Sequence, residues 1–196
     1  MTQATRKLTF EEYLAYDDGT DTRYELVDGV LVEMPTESEI NVLISNFLFA
    51  MLLPLVSYFR LRQKTEVKVS SRTVTSRCPD LMVLSEAGVI ALKGAKQSVV
   101  QPQMPTPQLV VEVVSPGEPG DQNYDRDYIE KPKEYAQRGI PEFWQIDPER
   151  SVVSVLTLEG SSYKVKAFQG GDRIESEQFK QLELTAEQIL SAGVNQ

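Results

Sequence analysis

The stretch Leu109-Val110-Val111-Glu112-Val113-Val114-Ser115 constrains this chain more than any other, because it sets one carboxylate inside an apolar, β-branched run. A run of this length, closed by Pro116-Gly117, reads as a buried strand. Side chains alternate along a strand, so Val111 and Val113 share one face while Val110, Glu112 and Val114 share the other. An ionised carboxylate left alone there would cost on the order of several kcal/mol, or its pKa would rise by roughly units. Glu112 therefore needs a cation, hydrogen-bond donors or a metal, unless its strand lies at an edge and turns it to water. A structural salt bridge and a functional site meet that demand equally well.

Which chemistry is open to the chain follows from what it lacks. It has no histidine and one cysteine, Cys78. That removes Ser-His-Asp and Cys-His catalysis, His-ligated or Cys-rich zinc sites and an internal disulfide framework. Any reaction at neutral pH must run on carboxylates, lysine, hydroxyls and a metal held through oxygen. The net charge of −9 argues against bulk electrostatic coating of nucleic acid. A local groove is still open, because Arg60, Arg62, Lys64, Lys68, Arg72 and Arg77 cluster with only Glu66 opposing them. The other reading of that cluster is a solvated strand pair.

At 196 residues, 41% hydrophobic, the chain has the size and composition of one globular domain, spanning 1–196. No apolar run approaches a bilayer span, and the polar start lacks the pattern of a signal peptide. The expectation is a cytoplasmic protein with no membrane partner.

Thr9 to Glu12 fits a capping box ahead of a short helix reaching about Tyr16. The two halves of 23–34 flank Asp28-Gly29 and read as a hairpin. Thr36 to Glu39 repeats the capping-box spacing before a long helix, with Ile40, Leu43, Ile44, Phe47, Leu48, Met51, Leu52 and Leu55 on one face and Pro54 as its kink or end. Strands are predicted within 62–69 and over Pro79 to Leu84, joined by a polar turn at 70–76. A short helix is predicted near Val89 to Lys93, and three prolines make 101–107 an irregular excursion. After the strand Gln108 to Ser115 comes a polar loop through 119–123, a helix from Lys131 or Pro132 to Gln137, and strands over Glu142–Ile146, Val152–Leu158 and Tyr163–Phe168. Thr185 to Leu190 reads as a last helix. This order is that of an α/β (α+β) chain with a central mixed β-sheet flanked by helices.

Asp80, straight after Pro79, opens the strand expected beside that of Glu112. Two carboxylates at the ends of adjacent strands can chelate one hard divalent ion, with the carbonyl of Val113 as a third ligand and waters completing an octahedron. Lys131 downstream can bring positive charge to a scissile phosphate. A metal, paired acids and a lysine are what phosphodiester hydrolysis requires.

These residues carry a family resemblance. Tyr24-Glu25-Leu26-Val27-Asp28-Gly29, Pro79-Asp80, the strand Leu109 to Pro116, and the block Lys131 to Pro148 with its Trp144-Gln145-Ile146-Asp147-Pro148 ending stand together in order. The chain, over roughly 8–190, resembles the Uma-two family of the PD-(D/E)XK nuclease superfamily. The resemblance implies a restriction-endonuclease-like core, with Asp80 and Glu112 binding Mg²⁺ or Mn²⁺ and DNA as the substrate. In the superfamily pattern a lysine stands two positions after the second acid, where this chain has Val114, and Lys131 is the match on the following helix. Glu39 matches an acidic residue that superfamily members carry on the first core helix, and a capping role explains it equally well. Two departures stand out: Cys78 occupies a position where the family more often has arginine, and Pro132 follows Lys131. A residue before proline is pushed out of the α region, which predicts that Lys131 leaves the helix start, with Arg126 and Lys133 as substitutes.

The leading expectation is a Mg²⁺- or Mn²⁺-dependent endodeoxyribonuclease, with Asp80 and Glu112 on the metal and Lys131 orienting the attacking water. The rival is a catalytically silent module of the same fold that binds nucleic acid or a protein. A third reading is a carboxylate pair neutralised by Lys131 or Arg126 for stability alone. Superfamily nucleases often act as homodimers, and the apolar strand at Val152 to Leu158 is the candidate surface for pairing two copies.

Overall fold

The computed structural model describes residues 7–20, 22, 24–27, 29–34, 38–69 and 76–192. The turn residue Asp28, the Thr36 cap, Arg72 and most of the 70–76 turn lie outside them. Helix α1 (Phe10–Leu14) is closed by the expected capping box, Thr9 Oγ1 accepting from Glu12 N and Glu12 reaching back to Thr9 N. Strands β1 (Tyr24–Val27) and β2 (Val30–Glu33) pair antiparallel as the hairpin. Gly29 is required there: its φ is +76°, and a Cβ would come within 2.7 Å of Lys7 Cβ.

Helix α2 (Glu39–Leu52) starts one step differently from its sequence signal. Ser38 is the N-cap, its Oγ accepting from Asn41 N at 3.3 Å, so Glu39 is the first helical residue and not the third. The helix stops before Pro54, as expected. The short strands β3 (Leu61–Arg62), β4 (Glu66–Lys68), β5 (Ser76–Arg77) and β6 (Leu81–Val83) follow, then α3 (Glu86–Leu92) and β7 (Val99–Val100). Strand β8 (Leu109–Val113) carries Glu112. After it the helical region begins at Gln122, well before the predicted start: α4 (Gln122–Tyr124), a π-helical segment Asp125–Glu130 and α5 (Lys131–Arg138) run on without a break. Strands β9 (Glu142–Asp147), β10 (Val152–Glu159) and β11 (Ser162–Phe168) and helix α6 (Ala186–Ser191) complete the chain.

The main sheet has the order β11-β10-β9-β8-β6-β3, with β8 and β9 parallel and every other pair antiparallel. The parallel step is the one that needs a crossover, and the α4–α5 run supplies it. A smaller sheet, β5-β4-β7, sits beside it. Alternation along each strand sorts the core into two layers. Leu81, Val83, Leu109, Val111, Val113, Trp144 and Ile146 pack with Ile44, Leu48 and Leu52 of α2 and Ile189 of α6. Met82, Val110, Phe143 and Leu156 pack on the other face with Tyr135 of α5. The result is the expected mixed sheet between helices. One expectation is corrected: β10 is bonded on both sides and mostly buried, so it offers nothing to a second copy, and the outer strand is β11, whose residues are mainly exposed. No helix among the described residues is long and apolar enough to cross a membrane.

Candidate active site

Strand β8 is buried at all five positions, with a neighbour on each side, so Glu112 cannot face water as an edge residue. Its even-numbered partners lie on the α5 side of the sheet, where Val110 packs against Tyr135. The β6–β8 register pairs Leu81 with Val111, Met82 with Val110 and Val83 with Leu109. Carried one residue further, it sets Asp80 directly across from Glu112. The Asp80 carboxylate is tied to the same strand, its Oδ2 accepting from Val113 N at 2.6 Å. Ser45 Oγ of α2 donates to the Asp80 carbonyl at 3.0 Å, and Asn41 Nδ2 reaches the Val113 carbonyl at 3.4 Å. Asp80, Glu112 and Val113 thus line one cleft of about 280 Å³, together with Glu25, Asn41, Ser115, Arg126 and Lys131.

Glu112 is 4% exposed and is held by two side chains. Lys131 Nζ lies 2.9 Å from its Oε2, and Tyr135 OH donates to its Oε1 at 2.5 Å. Lys131, 8% exposed, also sits 2.8 Å from Asp127 Oδ1. Burial drives the Glu112 carboxyl above the usual carboxylate range, with Lys131 and Tyr135 pulling against it. Burial also opposes charge on Lys131, but Glu112 and Asp127 outweigh it and hold the ammonium above its ordinary value. At Asp127 burial raises and Lys131 and Arg126 lower, and the lowering wins. Burial and then the Glu112 charge raise the Tyr135 hydroxyl far above its usual value, so it remains a donor.

The expected effect of Pro132 on Lys131 does not occur. Lys131 has φ −55° and ψ −46°, inside the α region, and its side chain reaches the site. The π-helical segment explains how. In an ordinary helix the proline ring meets the carbonyl four residues back, whereas the wider π turn shifts that carbonyl away from it. The carbonyl five residues back, that of Asp127, has no N–H from Pro132 to accept. Gln145 Nε2 of β9 donates to it instead at 2.5 Å. Gln145 stands opposite Glu112 in the β8–β9 register, so the residue beside the acid also secures the turn that carries the lysine.

Asp127, Lys131 and Tyr135 fall four apart on one helical face, and that spacing is the sequence signal which would have found the two partners sequence reasoning missed. Arg126 lines the cleft, with Nη2 3.3 Å from Ser115 Oγ and Nε 3.1 Å from Asp127 Oδ1. Lys133 is exposed. Glu39 is also exposed, and the structure does not bring it to the cleft wall. Among the described residues the basic cluster is no continuous track: Arg77 is buried at 2% exposure and ion-paired to Glu134, Glu25 and Glu130, while Arg60 donates to the Leu84 carbonyl and to Gln108.

The donor set can be tested against a divalent ion. Among the described residues no three His, Cys, Asp or Glu side chains gather into a metal cage. Two opposed carboxylates and a backbone carbonyl are nevertheless enough for a hard cation that keeps several waters, as Mg²⁺ does. Like charges set directly opposite across strands repel, and the cleft wall carries Glu25, Glu33, Asp80 and Glu112 against only Arg126 and Lys131. The residues fit a bound cation.

An α/β/α sandwich with acids opposed on adjacent strands and a lysine from the crossover helix defines a restriction-endonuclease-like fold. A solved structure of the same fold is a "putative nuclease belonging to DUF820 from Anabaena variabilis", at 16% identity and TM-score 0.70, covering 95% of this chain and 99% of that one. The Uma2 family model, described as "Putative restriction endonuclease", matches residues 10–187. The chain belongs to that family. Among curated proteins none matches it.

Proposed function

We propose that this protein is a metal-dependent nuclease that hydrolyses DNA phosphodiesters in the cleft between β6, β8 and the α4–α5 run. The observation that carries the reading is that Asp80, its carboxylate held on Val113 N, lines one cleft with Glu112 while Lys131 Nζ touches Glu112. A wall with more carboxylates than cations repels a phosphodiester, so the cleft serves an anionic substrate only with a cation in place.

Asp80, Glu112 and the Val113 carbonyl would hold Mg²⁺ or Mn²⁺, which when bound would supply a Lewis acid at the phosphoryl oxygen and a more acidic water. The Val113 N–H holds the Asp80 carboxylate and Tyr135 holds that of Glu112, which fixes both acids at the cleft wall. Lys131 orients the attacking water through its ammonium, which Asp127 keeps in place from the opposite side. Arg126, more exposed than Lys131, faces the phosphate and neutralises its charge.

The test is cleavage of plasmid and single-stranded DNA with Mg²⁺ or Mn²⁺ by wild type, Asp80→Asn, Glu112→Gln and Lys131→Met. Loss of at least about a hundredfold in the two acid variants, with unchanged melts for Asp80→Asn, is expected. Activity that survives both acid substitutions refutes the reading. The clamping of Lys131 between two carboxylates favours a second reading, a silent module of the same fold. That reading requires wild type to bind DNA without cutting it and to show no calorimetric Mg²⁺ or Mn²⁺ binding that depends on Asp80.

A further inference from the structure

A second cavity of about 380 Å³ opens next to the cleft and shares two wall residues with it, Met34 and Cys78. Its walls include Tyr13, Tyr16, Tyr24, Lys64, Gln97 and Ser98. Two of the three rings are fixed by their hydroxyls: Tyr13 OH donates to the Tyr24 carbonyl at 2.9 Å and to Glu66 Oε1 at 3.1 Å, and Tyr24 OH to Asp18 Oδ2 at 2.8 Å. The loop that carries Tyr16 is braced as well. Asp17 Oδ1 accepts from Gly19 N and Asp18 Oδ1 from Thr20 N, and Gln97 Nε2 holds the Leu14 carbonyl at 2.7 Å. Tyr16 itself makes a T-shaped contact with Tyr24, with centroids 5.7 Å apart, and is 44% exposed while lining the cavity. Lys64, at the rim, holds φ +61°, a conformation that a non-glycine residue adopts at a local cost and that is concentrated at functional sites.

We propose that this cavity is a nucleobase subsite, in which one unpaired base of the strand flanking the scissile phosphate stacks on Tyr16. The inference rests on the nuclease reading for the course of the strand, and on the shared Met34–Cys78 wall for the continuity between the two cavities. The lining favours a base over a phosphate. Its charges are one cation, Lys64, and one acid, Glu66, whose oxygens already accept from Tyr13 and Ser76. Such a wall does not concentrate anions, whereas an accessible aromatic ring beside amide and hydroxyl groups suits a neutral, planar, hydrogen-bonding ring. A base that enters must be unstacked from its neighbours, so single-stranded or distorted DNA is the preferred substrate.

The experiment measures anisotropy of labelled single-stranded oligodeoxynucleotides, about ten nucleotides long, in Ca²⁺ buffer, with one abasic position moved along the sequence. The expected result is one position at which base removal weakens wild-type binding about tenfold, the low end of base–aromatic stacking. Tyr16→Ala should show the same weakening with the intact oligonucleotide and no further loss with the abasic one, while Tyr16→Phe binds like wild type. The subsite is overturned if no position is sensitive, if Tyr16→Ala and base removal weaken binding additively, or if no oligonucleotide binds. Cleavage in Mg²⁺ with no Tyr16-dependent position leaves the nuclease standing without the subsite. A Tyr16-dependent position without cleavage does the reverse. Melting curves of Tyr16→Ala, altered at an exposed ring, check that the fold is intact.

Discussion

Replacing Lys131 with methionine isolates what its ammonium does for the fold. The side chain is buried and sits 2.9 Å from Glu112 and 2.8 Å from Asp127. Methionine fills similar volume, so the loss is electrostatic. Asp127 keeps Arg126 at 3.1 Å, but Glu112 is left with Tyr135 and no cation. Breaking a buried pair from one side costs about 3–5 kcal/mol, and the retained Arg126 places this variant near the lower end. For a domain of this size about 3 kcal/mol corresponds to a fall in Tm of roughly 6–12 °C. Two further measurements separate the cause from general damage. Glu112→Gln in the Lys131→Met background removes the orphaned charge and keeps an acceptor for Tyr135, so it should restore at least half of the loss. Acidification should act in the same direction: burial already holds the Glu112 pKa above its ordinary value, and losing Lys131 raises it further. A carboxyl whose folded pKa is raised contributes stability at low pH and loses it as pH rises, so the variant should close on wild type as pH falls from 7 towards 5. The assay is urea unfolding followed by near-ultraviolet circular dichroism. A single-variant loss below about 1 kcal/mol, or a double variant no more stable than the single, refutes the reasoning.

Gln145→Leu should cost about 1–3 kcal/mol by orphaning the Asp127 carbonyl, and proteolysis or hydrogen exchange should show the loosening confined to 122–131. Arg77→Met leaves Glu134 and Glu25 without their cation and should destabilise by about 3–5 kcal/mol, with Arg77→Lys recovering only part because one ammonium cannot bridge three carboxylates. The Asp127 carboxyl is held below its usual value, so it contributes stability above the unfolded pKa and loses it as pH falls. Thermal melts between pH 7 and 3 should therefore show a shallower acid loss in Asp127→Asn than in wild type.

The placement of Asp80 and Glu112 is legible in the sequence and that of the residues around them is not, for reasons set by distance along the chain. Glu112 stood out because alternation is local: five residues suffice to put it on a buried face. Asp80 followed because Pro79 marks the start of the neighbouring strand. The hairpin, the first and last capping boxes and the apolar face of α2 were readable on the same local terms. The start of the crossover helix was misplaced because Gly120 and Pro132 both signal breaks, and nothing local shows that a π turn absorbs the proline. Finding that requires Gln145, which lies 18 residues from Asp127. Arg77 read as part of a basic surface, and only tertiary structure brings Glu25, Glu130 and Glu134 around it. The capping signal at Thr36 puts Glu39 at the third helical position, whereas Ser38 is the cap and makes it the first.

The placement of Glu112 on β8 also sets a timescale. Its strand is bonded to β6 on one side and β9 on the other, so its amide proton can exchange only when the whole sheet opens, whereas the Gln122–Glu130 segment lies outside the sheet and can detach from it alone. The two halves of the site therefore have separate lifetimes. The acid keeps its position for as long as the molecule stays folded, whereas Asp127, the second carboxylate on the lysine, sits in a segment that can open without the sheet.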